Sequence, residues 1–230
     1  VSAVPQVGTA VAGRAASRDR IGRAILLSFL LAVGCDLACL GPGPDIGHQI
    51  AKPLLMPLLA AYAVTRGAPR TLVAALLFGW AGDVFLLGDA DWAFLVGMGS
   101  FAAGHVCYLV LFRRTHTSTP LAAVYGTALV GTVALLWPDL PAELRIPVAG
   151  YSLLLTAMAC RSSGLGPVAG AGGALFLLSD TLIATGVAGW PQPPVPDFWI
   201  MLTYCAAQLL LATGVLARVP QAYRESRTSV

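Results

Sequence analysis

The chain is poor in charge. Only 11% of its 230 residues are Asp, Glu, Lys or Arg, while 57% are hydrophobic, and its mean hydropathy is +0.77. A soluble domain carries roughly 25% charged residues, so this composition points to an integral membrane protein. The formal net charge of +3 is small, and the arginines stand at segment ends rather than in a patch. Nucleic acid is therefore set aside as a partner. Histidine and cysteine are also scarce, with three and five copies. Cys35, Cys39, Cys107, Cys160 and Cys205 form no CxxC and no Cys/His cluster. They read as small buried hydrophobes, with neither a disulfide framework nor a zinc site. No metal or other cofactor is implied. Residues 1–20 hold no apolar run long enough for a signal-peptide core and read as a flexible cytoplasmic tail.

What remains is mostly apolar run. Eight segments are marked, near Ile25–Leu40, Ile50–Thr65, Thr71–Gly88, Trp92–Phe112, Leu121–Trp137, Ile146–Cys160, Leu165–Ala188 and Phe198–Ala217. A transmembrane barrel would show strands of about ten residues in strict alternation. These runs are longer, continuous and rich in Leu, Ala and Gly. The expected fold is all-α: a polytopic domain over residues 21–218 with eight transmembrane helices, followed by a second tail at 219–230. The second and sixth segments are short for a bilayer and are expected to borrow flanking residues. Arginines at 14, 18, 20, 23, 66, 70, 113, 114, 161, 218, 224 and 227 mark one set of segment ends. The alternate connections carry Asp45, Asp89, Asp91, Asp139, Glu143 and Asp197, with Arg145 as the exception. By the positive-inside rule both termini are cytoplasmic. The excess of Arg over Lys and the abundance of Ala and Gly suggest a GC-rich bacterial genome, hence a bacterial inner membrane.

Within these runs sit Asp36, Lys52, Asp83, His105 and Asp180. Ionisable groups at bilayer depth are costly and mark a polar cavity or a partner. Asp83 and Asp180 are the strongest candidates, because a carboxylate so far inside a helix needs a partner or a proton. Asp36 also reads as a boundary residue, and Lys52 as an interfacial anchor or the ion-pair partner of Asp83. His105 shares a helix face with Phe101, Tyr108 and Phe112, and Tyr204 shares one with Gln208 and Leu211. Counting residues from the segment ends places both aspartates toward one outward-facing cavity. Gly97, Gly99, Ser100, Gly104, Gly166, Gly170, Gly172 and Gly173 read as close-packing positions. Pro53 and Pro57 are expected to free backbone carbonyls of the second segment.

The ordered blocks KPLLMPLL (52–59), LLFGWAGDVFLL (76–87), FLVGMGSFAAGHVCYLVLF (94–112), GALFLLSDTLIA (173–184) and TYCAAQLLLATG (203–214) resemble the YhhN family. That resemblance spans roughly residues 50–214. It implies eight transmembrane helices and an enzyme resembling the lysoplasmalogenases, which cleave the vinyl-ether bond of lysoplasmalogens to a fatty aldehyde and a glycerophospho-alcohol. By the same resemblance Asp83 and Asp180 are the catalytic candidates. Lys52, His105, Tyr108, Ser179, Tyr204 and Gln208 are the substrate-binding ones, and the partners are a lysophospholipid and the bilayer. Two carboxyls in unequal surroundings suit acid/base cleavage of a vinyl ether; which of them is the acid is left open, as is the oligomeric state. A proton-coupled transporter is the alternative, because Asp83 and Asp180 sit on equivalent segments of a suggested four-helix duplication. A lipid-binding scaffold is a third reading.

Overall fold

The computed structural model describes residues 6–40, 46–88 and 90–228. Eight helices follow one another: α1 (Gln6–Cys39), α2 (Ile46–Thr65), α3 (Arg70–Phe85), α4 (Asp91–Leu111), α5 (Thr119–Leu136), α6 (Ala142–Ser163), α7 (Pro167–Val187) and α8 (Pro196–Thr228). The regular elements among the described residues are thus all helical. The second and sixth do extend beyond their apolar runs, to Ile46 and to Ala142–Ser163. Helix also occupies 6–20 and 219–228, where composition suggests tails. At the first of these, Ala-rich sequence runs into the apolar segment without a proline, so nothing breaks the helix. Asp45 and Asp89, two of the acids that set the expected orientation, lie outside the described residues.

Five helices are long and apolar enough to cross a membrane: Ala16–Cys39, Trp92–Leu111, Thr119–Leu136, Pro167–Val187 and Pro196–Arg218. The other three differ for local reasons. α3 has 16 residues, α2 carries His48, Lys52 and two prolines, and α6 opens on Glu143 and Arg145. Helices packed against protein need not be apolar all round.

Short connections make consecutive helices antiparallel neighbours, α4 and α5 excepted. α1, α2, α3, α4, α6 and α7 follow one another around the bundle, and α8 closes it by touching α7, α1, α2 and α3. α5 packs chiefly on α6 and stays at the periphery, with Val124, Val130 and Leu135 exposed. Glycines set the closest approaches. A Cβ on Gly82 would stand 2.6 Å from the Phe101 ring, and one on Gly172 would stand 2.9 Å from the Ala207 carbonyl oxygen. Gly97, Gly104, Gly170 and Gly173 pack as expected, whereas Gly99 faces open space and Gly166 serves the start of α7 at φ +138°.

Alternation gathers the arginines at one end of the bundle. There Arg18 donates to the Val64 carbonyl at 3.3 Å, Arg161 to those of Phe112 and Arg113 at 3.1 and 2.7 Å, and Arg218 to that of Leu165 at 2.5 Å. These carbonyls end α2, α4 and α6, where the helix leaves acceptors unpaired and its dipole is negative. Arg66 and Arg23 both bind Asp19 at the same end. At the opposite end Arg145 is used up by the Leu140 and Pro138 carbonyls.

The prolines of α2 act as expected on its backbone. Pro57 has no N–H for the Pro53 carbonyl four residues earlier. The Trp80 indole of α3 takes that carbonyl instead, at 2.9 Å.

Candidate active site

Seven of the polar side chains inside the bundle form two hydrogen-bonded chains. In the first, Tyr204 of α8 donates to Asp83 Oδ2 of α3 at 2.7 Å. Its oxygen accepts from Gln208 Nε2 at 3.5 Å, and Gln208 Oε1 accepts from Tyr108 of α4 at 2.7 Å. Tyr204 and Gln208 meet because they lie one turn apart on α8. All four residues are buried, Asp83 at 2% exposure. Gly79 makes room for them: a Cβ there would lie 3.0 Å from Gln208 Nε2 and 3.2 Å from the Tyr204 hydroxyl.

In the second chain Tyr151 of α6 donates to Asp180 Oδ2 of α7, and His105 Nε2 of α4 lies 3.0 Å from the same hydroxyl. Tyr151 spends its proton on the carboxylate, so its oxygen accepts from His105, which fixes the Nε2–H tautomer. His105 Nδ1 is then a bare acceptor, buried without a partner. Asp180 itself is half-buried.

An aromatic partition stands between the chains. Phe176 packs edge-on to His105 at 4.8 Å between ring centroids and to Tyr204 at 5.5 Å, and Phe101 packs on both Phe176 and Tyr204. On the Asp180 side lies a cavity of about 100 Å³, walled by α4, α5, α6 and α7. Phe101, Met98, Leu129, Leu155, Leu177 and Ala184 supply much of its apolar lining, and Asp180 and Tyr151, with Thr132, Ser152, Thr156 and Thr181, its polar residues. Asp83 is not in its wall. The shared cavity expected for the two aspartates is therefore corrected to one that opens on Asp180 alone; the Phe101–Tyr204 contact closes the other side.

The remaining candidates fall elsewhere. Lys52, the chain's only lysine, is buried at 9% exposure. Among the described residues it forms no direct ion pair, so the expected Lys52–Asp83 bridge is not made, although Lys52 acts on Asp83 through space. Asp36 stands three residues before the end of α1. It is fully buried and bonded through Oδ1 to His48 Nδ1 at 2.9 Å, with Oδ2 left without a partner. Ser179 donates to the Ile200 carbonyl at 3.1 Å and ties α7 to α8. Among the described residues no three His, Cys, Asp or Glu side chains come together as metal ligands.

Tyr151 is the site residue that sequence reasoning missed. Its one available signal was a phenol in the middle of an otherwise apolar sixth segment, next to Ser152.

The chain matches the YhhN family over residues 47–215. It is 35% identical over 150 residues to the lysoplasmalogenase TMEM86B of Homo sapiens, covering 65% of this chain and 65% of that protein, a little under two thirds of its length. It is 34% identical over 197 residues to the lysoplasmalogenase of Mycobacterium tuberculosis (strain CDC 1551 / Oshkosh), covering 76% and 74%. It is 34% identical over 161 residues to the lysoplasmalogenase TMEM86B of Sus scrofa, covering 70% of each. No solved structure matches the chain. Both hydrogen-bonded chains fall inside the matched span, and Asp36 falls outside it.

Proposed function

The chain belongs to the YhhN family, and from that premise we propose that it is a membrane lysoplasmalogenase, a hydrolase of the vinyl-ether bond of lysoplasmalogens. The observation that carries this reading is one carboxyl group, Asp180, on the wall of an otherwise mostly apolar cavity. Such a cavity suits a hydrocarbon chain with one reactive bond. In this reading all eight helices cross a bacterial inner membrane with both termini in the cytoplasm. The arginines gathered at one end of the bundle support that orientation.

Vinyl-ether cleavage begins with a proton on carbon. Asp180 Oδ2 is held by Tyr151, which leaves Oδ1 to carry a proton toward the cavity. That proton goes to the chain carbon remote from the ether oxygen, and the adjacent carbon becomes an oxocarbenium ion. Water adds to this cation and gives its proton back to the Asp180 carboxylate. The hemiacetal then breaks its bond to the glycerol oxygen, which leaves as the alcohol, while the chain leaves as an aldehyde. Asp180 serves as acid and then base, as one carboxyl does in retaining glycosidases.

Asp83 contributes a second negative charge behind the aromatic partition and steadies the cation through space. Tyr204, Gln208 and Tyr108 position it, His105 positions Tyr151, and Lys52 balances the Asp83 charge. Ser179 joins helices. Family membership and the names of the relatives favour hydrolysis over the transporter alternative.

The test is turnover of a lysoplasmalogen by purified protein in D2O. One deuterium is expected on the aldehyde carbon next to the carbonyl, since that carbon receives the acid's hydron. An aldehyde formed without deuterium, read before chemical exchange, removes the mechanism.

A further inference from the structure

The cavity lies mostly on one side of the bundle's midpoint, crossing it on α6, where the lining runs from Val148 to Thr156. Its lining residues on α5, Ala128 to Leu136, and on α7, Leu177 to Val187, belong to the halves of those helices farther from the arginine-rich end. On α3 it is lined by Leu86, which caps the helix at the arginine-poor end, and on α4 by residues no deeper than Phe101. Asp180 is seven residues before the end of α7 and thirteen after its start. At 1.5 Å per residue these correspond to about 10 Å from the arginine-poor end and about 20 Å from the arginine-rich end.

A bilayer has a hydrocarbon core of about 30 Å inside a total thickness of about 40–45 Å. The vinyl ether of a lysolipid is attached directly to glycerol, so it sits at the top of its own leaflet's hydrocarbon. Asp180 is nearer that level in the leaflet at the arginine-poor end, about 10 Å away, than in the opposite leaflet, about 20 Å away. A lipid of the other leaflet would have to draw its glycerol past the midplane, against the cost of burying polar and charged groups. The peripheral wall is α5, which carries the exposed Val124 and Val130.

We infer that the protein takes a single-chain lysophospholipid only from the leaflet at its arginine-poor end and releases the water-soluble glycerophospho-alcohol on that side. With the orientation proposed above this is the outer leaflet. The inference rests on the hydrolase reading for the identity of the reacting bond, while the cavity's position carries the sidedness. The tail lies along Leu177 and Phe101, and the headgroup stays near Leu86, Leu136 and Val187.

The experiment uses the full chain in sealed right-side-out spheroplasts and in sealed inverted vesicles from the same bacterial host. Each is given a lysoplasmalogen from outside, and separately a saturated-ether lysolipid with a photoreactive group in its chain. His116→Cys at the arginine-rich end and Glu143→Cys at the arginine-poor end, probed with an impermeant thiol reagent, report which end faces out in each preparation. Turnover at least tenfold faster from the arginine-poor face is expected, with photolabel on peptides containing Leu177 and Ala184, and the difference should vanish once detergent opens the membranes. Ala184→Trp and, on the peripheral helix, Thr132→Trp should each cut the labelling. Equal access from both faces, or preference for the arginine-rich face, overturns the inference. Photolabelling confined to the arginine-poor face with no aldehyde even in detergent upholds sidedness and rejects the hydrolase reading instead.

Discussion

Around Asp83 and around Asp180 the same small arrangement recurs. One carboxylate oxygen accepts from a tyrosine, and that tyrosine accepts from a nitrogen donor, Gln208 in one case and His105 in the other. The surroundings differ. Asp83 is sealed under Phe101 and Tyr204 with Lys52 acting on it through space, whereas Asp180 is half-buried at a cavity wall. The difference teaches that similar hydrogen bonding does not make two acids equivalent. In the proposed reading access assigns the reacting group, and the closed site is left to supply field and rigidity.

The sharpest way to break this contrast is to remove each charge. Asp180→Asn is expected to lower kcat by about a hundredfold or more, the usual scale for a positioned acid or base, with little change in folded yield. Asp83→Asn should cost about tenfold, and the double variant should fall short of the product of the two because the groups act as a unit. Steady-state kinetics on aldehyde release decides it, and a larger loss at Asp83 would reverse the assignment.

The tyrosines should separate along the same line. Tyr204→Phe leaves the buried Asp83 Oδ2 without its donor, at about 1–3 kcal/mol of stability. Tyr151→Phe sits beside a cavity where water can replace the hydroxyl, so thermal stability should move by less than about 1 kcal/mol while kcat falls roughly tenfold. Thermal unfolding in detergent read beside kinetics tests both, and equal destabilisation would erase the distinction between the sites.

The last pair of variants concerns backbone spacing and includes the smallest expected effect. Gly82→Ala would press a methyl group into the Phe101 ring and is expected to destabilise by about 1–3 kcal/mol. Gly99→Ala meets nothing within 4 Å and should change stability by less than about 0.5 kcal/mol. Heating curves of the two variants compare the packed α3–α4 contact with an open face of α4.

Much of the helical layout was legible because long apolar runs and their arginine punctuation are one-dimensional signals. The burial of Asp83, His105, Tyr204 and Gln208 was legible too, since helix periodicity puts each on an inward face. Tyr151 was not, because a lone phenol in an apolar run looks the same whether it meets lipid or a carboxylate. The Asp36–His48 pair joins two helices, and sequence spacing carries no crossing angle. The separate access of the two aspartates depends on where Phe101 and Phe176 point, which residue depth alone leaves undetermined.

His105 and Tyr108 stand three positions apart on α4, and each ends one of the two hydrogen-bonded chains. α4 is in effect a common axle. Turning it by a fraction of a residue would re-aim both ends together, so neither acid can be retuned alone from this helix. A lineage that altered one would have to alter the other in step, and a designer transplanting the Asp180 wall into another bundle would have to carry the Asp83 wall with it.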